Sequence, residues 1–128
     1  MRNLSKNFKE EEKSLRLRGI NSWDSLMNLK DHEINEIIKT SRSTSRNLKR
    51  LRCIAMLIHE IDLSQGEAAL LMHSGICSSK ALINLTPQEL LNKTGRFERQ
   101  LRTGRDPLVD LQKANSWIKR AKARQINN

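Results

Sequence analysis

The sequence predicts an all-α fold made from two copies of one helical hairpin unit. Three observations predict it. First, Leu15-Arg16-Leu17-Arg18-Gly19-Ile20-Asn21-Ser22 is echoed by Leu71-Met72-His73-Ser74-Gly75-Ile76-Cys77-Ser78. The same 56-residue offset pairs Leu26 with Leu82, Asn28 with Asn84, Leu29 with Leu85 and Glu33 with Glu89. An echo at a fixed period marks an internal repeat. Second, the 128 residues include only 5 glycines and 2 prolines, too few turn formers for many short strands. Third, apolar residues recur at helical spacing over 45–61 and 111–125. The expected organisation is one compact domain over 1–128, with repeat one over about 5–61 and repeat two over about 62–126. Half of such a chain alone buries too little surface for comfortable stability, so the repeats are expected to share one core across a long central helix.

Each element has its own justification. A first helix over 5–18 draws on Leu4, Phe8, Leu15 and Leu17, with Glu10, Glu11 and Glu12 ahead of Lys13, Arg16 and Arg18 to suit the helix dipole. Gly19 stops it, because glycine accepts a positive φ. Ser22 caps a short second helix, and a third over 31–39 turns Ile34, Ile37 and Ile38 inward. The polar run 40–45 breaks the chain before a long helix over 45–61. That helix opens with Arg46, Lys49, Arg50 and Arg52 and no acid, a charge pattern that opposes the dipole and invites an anionic partner.

Ser64 and Glu67 have capping-box spacing and open a fifth helix that ends at Gly75. Ser78 or Ser79 starts a sixth. Thr86-Pro87-Gln88-Glu89 starts a seventh over 87–94 with a cap, a first-turn proline and a third-position glutamate. Residues 95–104 read as a basic segment with a helical turn near Phe97 to Leu101. Asp110 caps a last helix over 111–125, carrying Leu111, Ala114, Trp117, Ile118 and Ala121 on one face.

The net charge of +10 is spread along the chain: residues 1–63 hold 13 basic and 9 acidic residues, residues 64–128 hold 11 and 5. Such a surface suits polyanions: nucleic acid, an anionic membrane or an acidic protein surface. Lys39, Arg42, Arg46, Lys49, Arg50 and Arg52 form one cluster, and Lys93, Arg96, Arg99, Arg102 and Arg105 form a second at the corresponding place in repeat two. The N-terminal residues lack the apolar core of a signal peptide, and no apolar run is long enough to span a bilayer. Cys53 and Cys77 lie among apolar neighbours, as small buried hydrophobes do, without CxxC spacing. A disulfide stays open, and a cytoplasm or plastid stroma is the expected compartment.

His32, His59 and His73 have no metal-ligand spacing with cysteine or carboxylate, and no nucleophile motif or phosphate-cradling glycine loop is present. A non-enzyme is expected, with no cofactor, no metal and no small-molecule substrate. Trp117 has the spacing of a core residue, while Trp23 follows a turn and is a candidate for base stacking.

The pattern resembles tandem helix-hairpin-helix domains. More narrowly, Leu63 to Leu90, Gly95-Arg96 and the stretch from Val109-Asp110-Leu111 through Trp117-Ile118 to Ala121 resemble a small cyanobacterial and plastid-type family of unknown function. The resemblance implies hairpins whose amides meet phosphate at the start of a helix, where partial positive charge gathers. The matching positions are Gly19, Ile20, Asn21 and Ser22 in one turn and Gly75, Ile76, Ser78, Ser79 and Lys80 in the other, with Arg42, Arg46, Lys49, Arg50, Arg96, Arg99 and Arg102 adding charge. The third turn position is glycine in the DNA-binding motif but Asn21 and Cys77 here, and Asp24 stands where Lys80 stands in the second copy. Asparagine tolerates the left-handed region better than cysteine, so the second turn departs further. The expected function is contact with a nucleic-acid backbone without strong sequence specificity, DNA ahead of RNA. The alternative is a helical adaptor docking on a larger complex, ribonucleoprotein or photosynthetic.

Overall fold

The computed structural model describes residue 1, residues 4–101 and residues 109–127, the side chains of 99–101 and 127 excepted. Every regular element among the described residues is helical. After a 3-10 turn at Lys6–Phe8 come α1 (Lys9–Leu17), α2 (Trp23–Met27), α3 (Asp31–Lys39), α4 (Ser45–Ile61), α5 (Gln65–His73), α6 (Ser79–Ile83), α7 (Pro87–Leu101) and α8 (Leu111–Asn127). Contacts group the chain into two compact units, Met1–Met56 and Leu57–Asn128.

In the first unit Leu15, Leu26, Ile34, Ile37, Leu48 and Leu51 are fully buried. Removing such leucines from water contributes ~1.5–3 kcal/mol each. Leu17 does not join them: it is 80% exposed. Two residues beyond Leu15, it falls on the far side of a helix that turns about 100° per residue. The sequence expectation for that side chain is therefore corrected. A polar knot sits beside the apolar core. The Ser43 hydroxyl donates to Ser14 Oγ at 2.7 Å, and the Ser14 hydroxyl donates to the Glu10 carbonyl at 2.9 Å.

In the second unit α8 packs on α6 and α7, and α5 on α7. Leu71, Leu82, Leu90, Ala114, Trp117 and Ala121 are buried there, Trp117 as its spacing predicts. The cap signals are realised. The Ser64 N–H donates to Glu67 Oε1 at 3.0 Å while the Glu67 N–H donates to Ser64 Oγ at 3.2 Å. Thr86 and Glu89 exchange the same two bonds, each at 3.1 Å. Asp110 Oδ1 accepts from the Lys113 N–H at 2.8 Å. The end of α4 closes differently: Asp62 takes φ 58°, and Arg120 donates to the Ile61 and Asp62 carbonyls at 3.1 and 3.4 Å.

α7 runs seven residues beyond the expected stop at 94, straight through Gly95. Glycine ends a helix when the next residue is apolar and can fold back over the last turn. Arg96 follows Gly95, so nothing draws the chain out of the helix. The basic segment expected from residue 95 is helical as far as Leu101, and residues 102–108 lie outside the described residues.

Candidate nucleic-acid interface

Both glycine turns are built from the same bonds. The Ile20 N–H donates to the Leu15 carbonyl at 2.9 Å and the Gly19 N–H to Arg16 at 3.0 Å. Fifty-six residues on, the Ile76 N–H donates to Leu71 at 2.9 Å and the Gly75 N–H to Met72 at 3.0 Å. Gly19 has φ 76° and Gly75 φ 88°, the left-handed conformation this closure needs. Ser22 Oγ then accepts from the Ser25 N–H at 3.2 Å, as Ser78 Oγ accepts from Ala81 at 3.1 Å. Asn28 donates to the Asp24 carbonyl as Asn84 donates to Lys80.

These bonds restrict what the turns offer a ligand. The amides of Gly19, Ile20, Gly75 and Ile76 are spent on the turn itself. Ile76 is buried. Ser79 is 3% exposed, and its N–H donates to Glu60 Oε1 at 3.1 Å. A carboxylate of the chain thus stands where a phosphate would approach, and Ser79 is withdrawn from the candidate contacts. In the first turn Asn21 and Ser22 are exposed, with Asp24 exposed beside them. Lys80 is exposed at the second.

The start of α4 shows the same device. Glu11 is 2% exposed, and Oε2 accepts from the Thr44 N–H at 2.8 Å while Oε1 accepts from the Asn47 side-chain amide at 3.3 Å. A carboxylate from within the chain therefore already accepts at this helix start. One acid among three consecutive glutamates carries no sequence mark that would select it.

The cations remain. No Asp or Glu occurs between Glu36 and Glu60, while Lys39, Arg42, Arg46, Lys49, Arg50 and Arg52 all fall in that interval. Lys39, Arg42, Arg46 and Lys49 are exposed and Arg50 is half-buried. Among the described residues none of these five forms an ion pair. Arg52 is different: it donates to Asp31 Oδ1 at 2.8 Å and to the Leu29 carbonyl at 2.9 Å. That hydrogen bond and charge hold the Asp31 carboxyl below its ordinary range. Arg52 is a brace, not an available cation. In the second unit Lys93 and Arg96 are exposed on α7. The Arg99 side chain, Arg102 and Arg105 lie outside the described residues.

Trp23 is half-buried at the first turn of α2. Cys77 is exposed, contrary to its expected burial, and neither Cys53 nor Cys77 is a free thiol. Among the described residues no cluster of His, Cys, Asp or Glu is arranged to hold a metal ion, and no helix is long and apolar enough to cross a membrane.

A family model described as a domain of unknown function (DUF4332) matches residues 5–124. No curated protein and no solved structure matches the chain.

Proposed function

The chain belongs to the family of the domain of unknown function DUF4332, and from that starting point we propose that it is a non-catalytic protein that grips a nucleic-acid backbone through basic side chains. The acid-free interval between Glu36 and Glu60 carries the reading. Its exposed side chains, Lys39, Arg42, Arg46 and Lys49, with Arg50 beside them, can each neutralise a phosphate and release its counterions. DNA is the first choice of polyanion and RNA the second.

In this reading the two glycine turns are tandem helix-hairpin-helix repeats. The shared bonds at the 56-residue offset support that. The turns act mainly as structural pivots, because Glu60 and the turn closures take up most of their amides. Asn21 and Ser22 are the turn residues left to meet a phosphate. Lys80 and Arg96 extend the charge in the second repeat. The motif resemblance alone supports a cyanobacterial or plastid-type origin and a cytoplasmic or stromal location.

The test is fluorescence anisotropy of the full chain with a generic duplex oligonucleotide over a salt series. Binding should weaken steeply with salt. Replacing Arg42, Arg46 and Lys49 together by alanine should reduce the logarithmic salt slope by about one unit per lost phosphate contact. No retention of duplex at low salt, or an unchanged slope in the triple variant, would overturn the proposal. Stoichiometric capture of an acidic protein that survives nuclease treatment would favour the adaptor reading instead.

A further inference from the structure

In the first unit an open groove of about 500 Å³ runs between α1 and the chain that follows α3. Glu10, Lys13, Ser14 and Leu17 line one wall, and Thr40, Ser41 and Arg42 the other. The hydroxyls in it are already engaged: Ser41 donates to the Ile37 carbonyl at 2.7 Å, and Thr40 Oγ1 accepts from Arg18 at 3.0 Å. What the groove presents outward is one exposed leucine with two cations and one acid, Glu10, and neither Lys13 nor Arg42 forms an ion pair among the described residues.

The second unit shows what such a seat holds. Counting on 56 residues, Leu17 corresponds to His73 and Ser41 to Phe97. The His73 and Phe97 rings stack at 4.8 Å with 4° between their planes. Phe97 reaches that position because α7 continues to Leu101, whereas α3 stops at Lys39. In the first unit the residue at the matching position is a small serine on a non-helical segment, and the apolar side chain opposite has no ring over it.

We propose that this groove is a docking site for a segment of a partner protein that places an aromatic side chain over Leu17, with flanking carboxylates meeting Lys13 and Arg42. The internal precedent at His73 selects the ring, and the two cations, which outnumber the one lining acid Glu10, select the acidic flanks. The proposal shares Arg42 with the nucleic-acid reading but stands on Leu17 and Lys13, which that reading does not use.

The probe is a short synthetic peptide with one central phenylalanine flanked by glutamates, titrated into the isotope-labelled full chain. Amide shifts should saturate and map to Lys13, Leu17, Thr40, Ser41 and Arg42. A peptide with alanine for phenylalanine should bind at least about tenfold more weakly, as expected for a lost aromatic contact. Leu17→Ser, at a fully exposed helix position, should do the same with an unchanged helical spectrum. Lys13→Glu should weaken the glutamate-flanked peptide and strengthen a lysine-flanked one. Arg46→Ala with Lys49→Ala should leave peptide binding intact while weakening duplex binding, so the two proposals fail separately. Equal binding of the phenylalanine and alanine peptides would overturn the docking site. So would shifts mapping elsewhere, or concentration-dependent shifts at Leu17 without peptide, which would give the seat to a second copy.

Discussion

Glu60 Oε1 lies 3.1 Å from the Ser79 amide nitrogen, so a side chain at the end of α4 caps the start of α6. A carboxylate at a helix start is favoured by both the hydrogen bond and the dipole. Glu60→Ala should cost about 1 kcal/mol, the usual cost of losing a cap, and Glu60→Gln less, because its amide oxygen still accepts. Urea denaturation with an unchanged m-value checks this. Equal losses in the two variants would count against the cap.

Gly19 and Gly75 make a matched pair of predictions. An added Cβ at either would meet no atom within 4 Å, so the cost of substitution is conformational alone. Alanine at either position should destabilise by about 1–2 kcal/mol, the left-handed penalty. Asparagine should lose less, since it tolerates that region. Thermal unfolding of the four single variants gives the order. An alanine variant as stable as the parent would remove the turn argument.

Glu11 is the costlier carboxylate to lose. Glu11 is 2% exposed, and its loss takes away the acceptor of the Thr44 N–H, while the Asn47 amide keeps the Asn7 carbonyl at 3.2 Å. Glu11→Ala should destabilise by about 1–3 kcal/mol, the cost of one donor left without its acceptor. Hydrogen exchange at the Thr44 amide should quicken in that variant. Unchanged protection there would sink the assignment.

Glu67 gives a pH dependence. Burial works to raise its pKa, but the Ser64 amide and hydroxyl together with Lys113, 3.4 Å away, outweigh that and hold it below the ordinary glutamate value. A depressed carboxyl stabilises the fold above its unfolded pKa. That contribution is lost as pH falls through the folded value, so the decline lies on the acid side of the ordinary carboxylate range. The parent should lose more stability than Glu67→Gln across that interval. Parallel pH profiles for the two would show that the cap is not coupled to folding.

Elements whose signals are local were legible in the sequence. The glycine turns, the Ser22 and Ser64 caps, the cap narrowed to Ser78 or Ser79 and the Thr86–Glu89 box each depend on residues a few positions apart. The bounds of α3 and α4 followed from periodicity and a polar break. What failed depended on distance in the chain or on context. Glu11 and Glu60 reach helix starts 33 and 19 residues away, and nothing in their neighbourhoods announces it. Gly95 looks like Gly19 and Gly75 until the following residue is considered. Arg52 sits among basic residues yet is bound to Asp31, 21 positions upstream. The basic charge of the candidate interface was thus readable, but the division between available and engaged groups was not.

The closure of both glycine turns within a few residues has a kinetic consequence. Neither turn needs a distant segment to form its hydrogen bonds, so each costs little loop-closure entropy. Either can nucleate first, and the slow step falls to the long-range capping by Glu11 and Glu60. Fast early helix formation followed by later burial of those two carboxylates is the order of events such a chain should show.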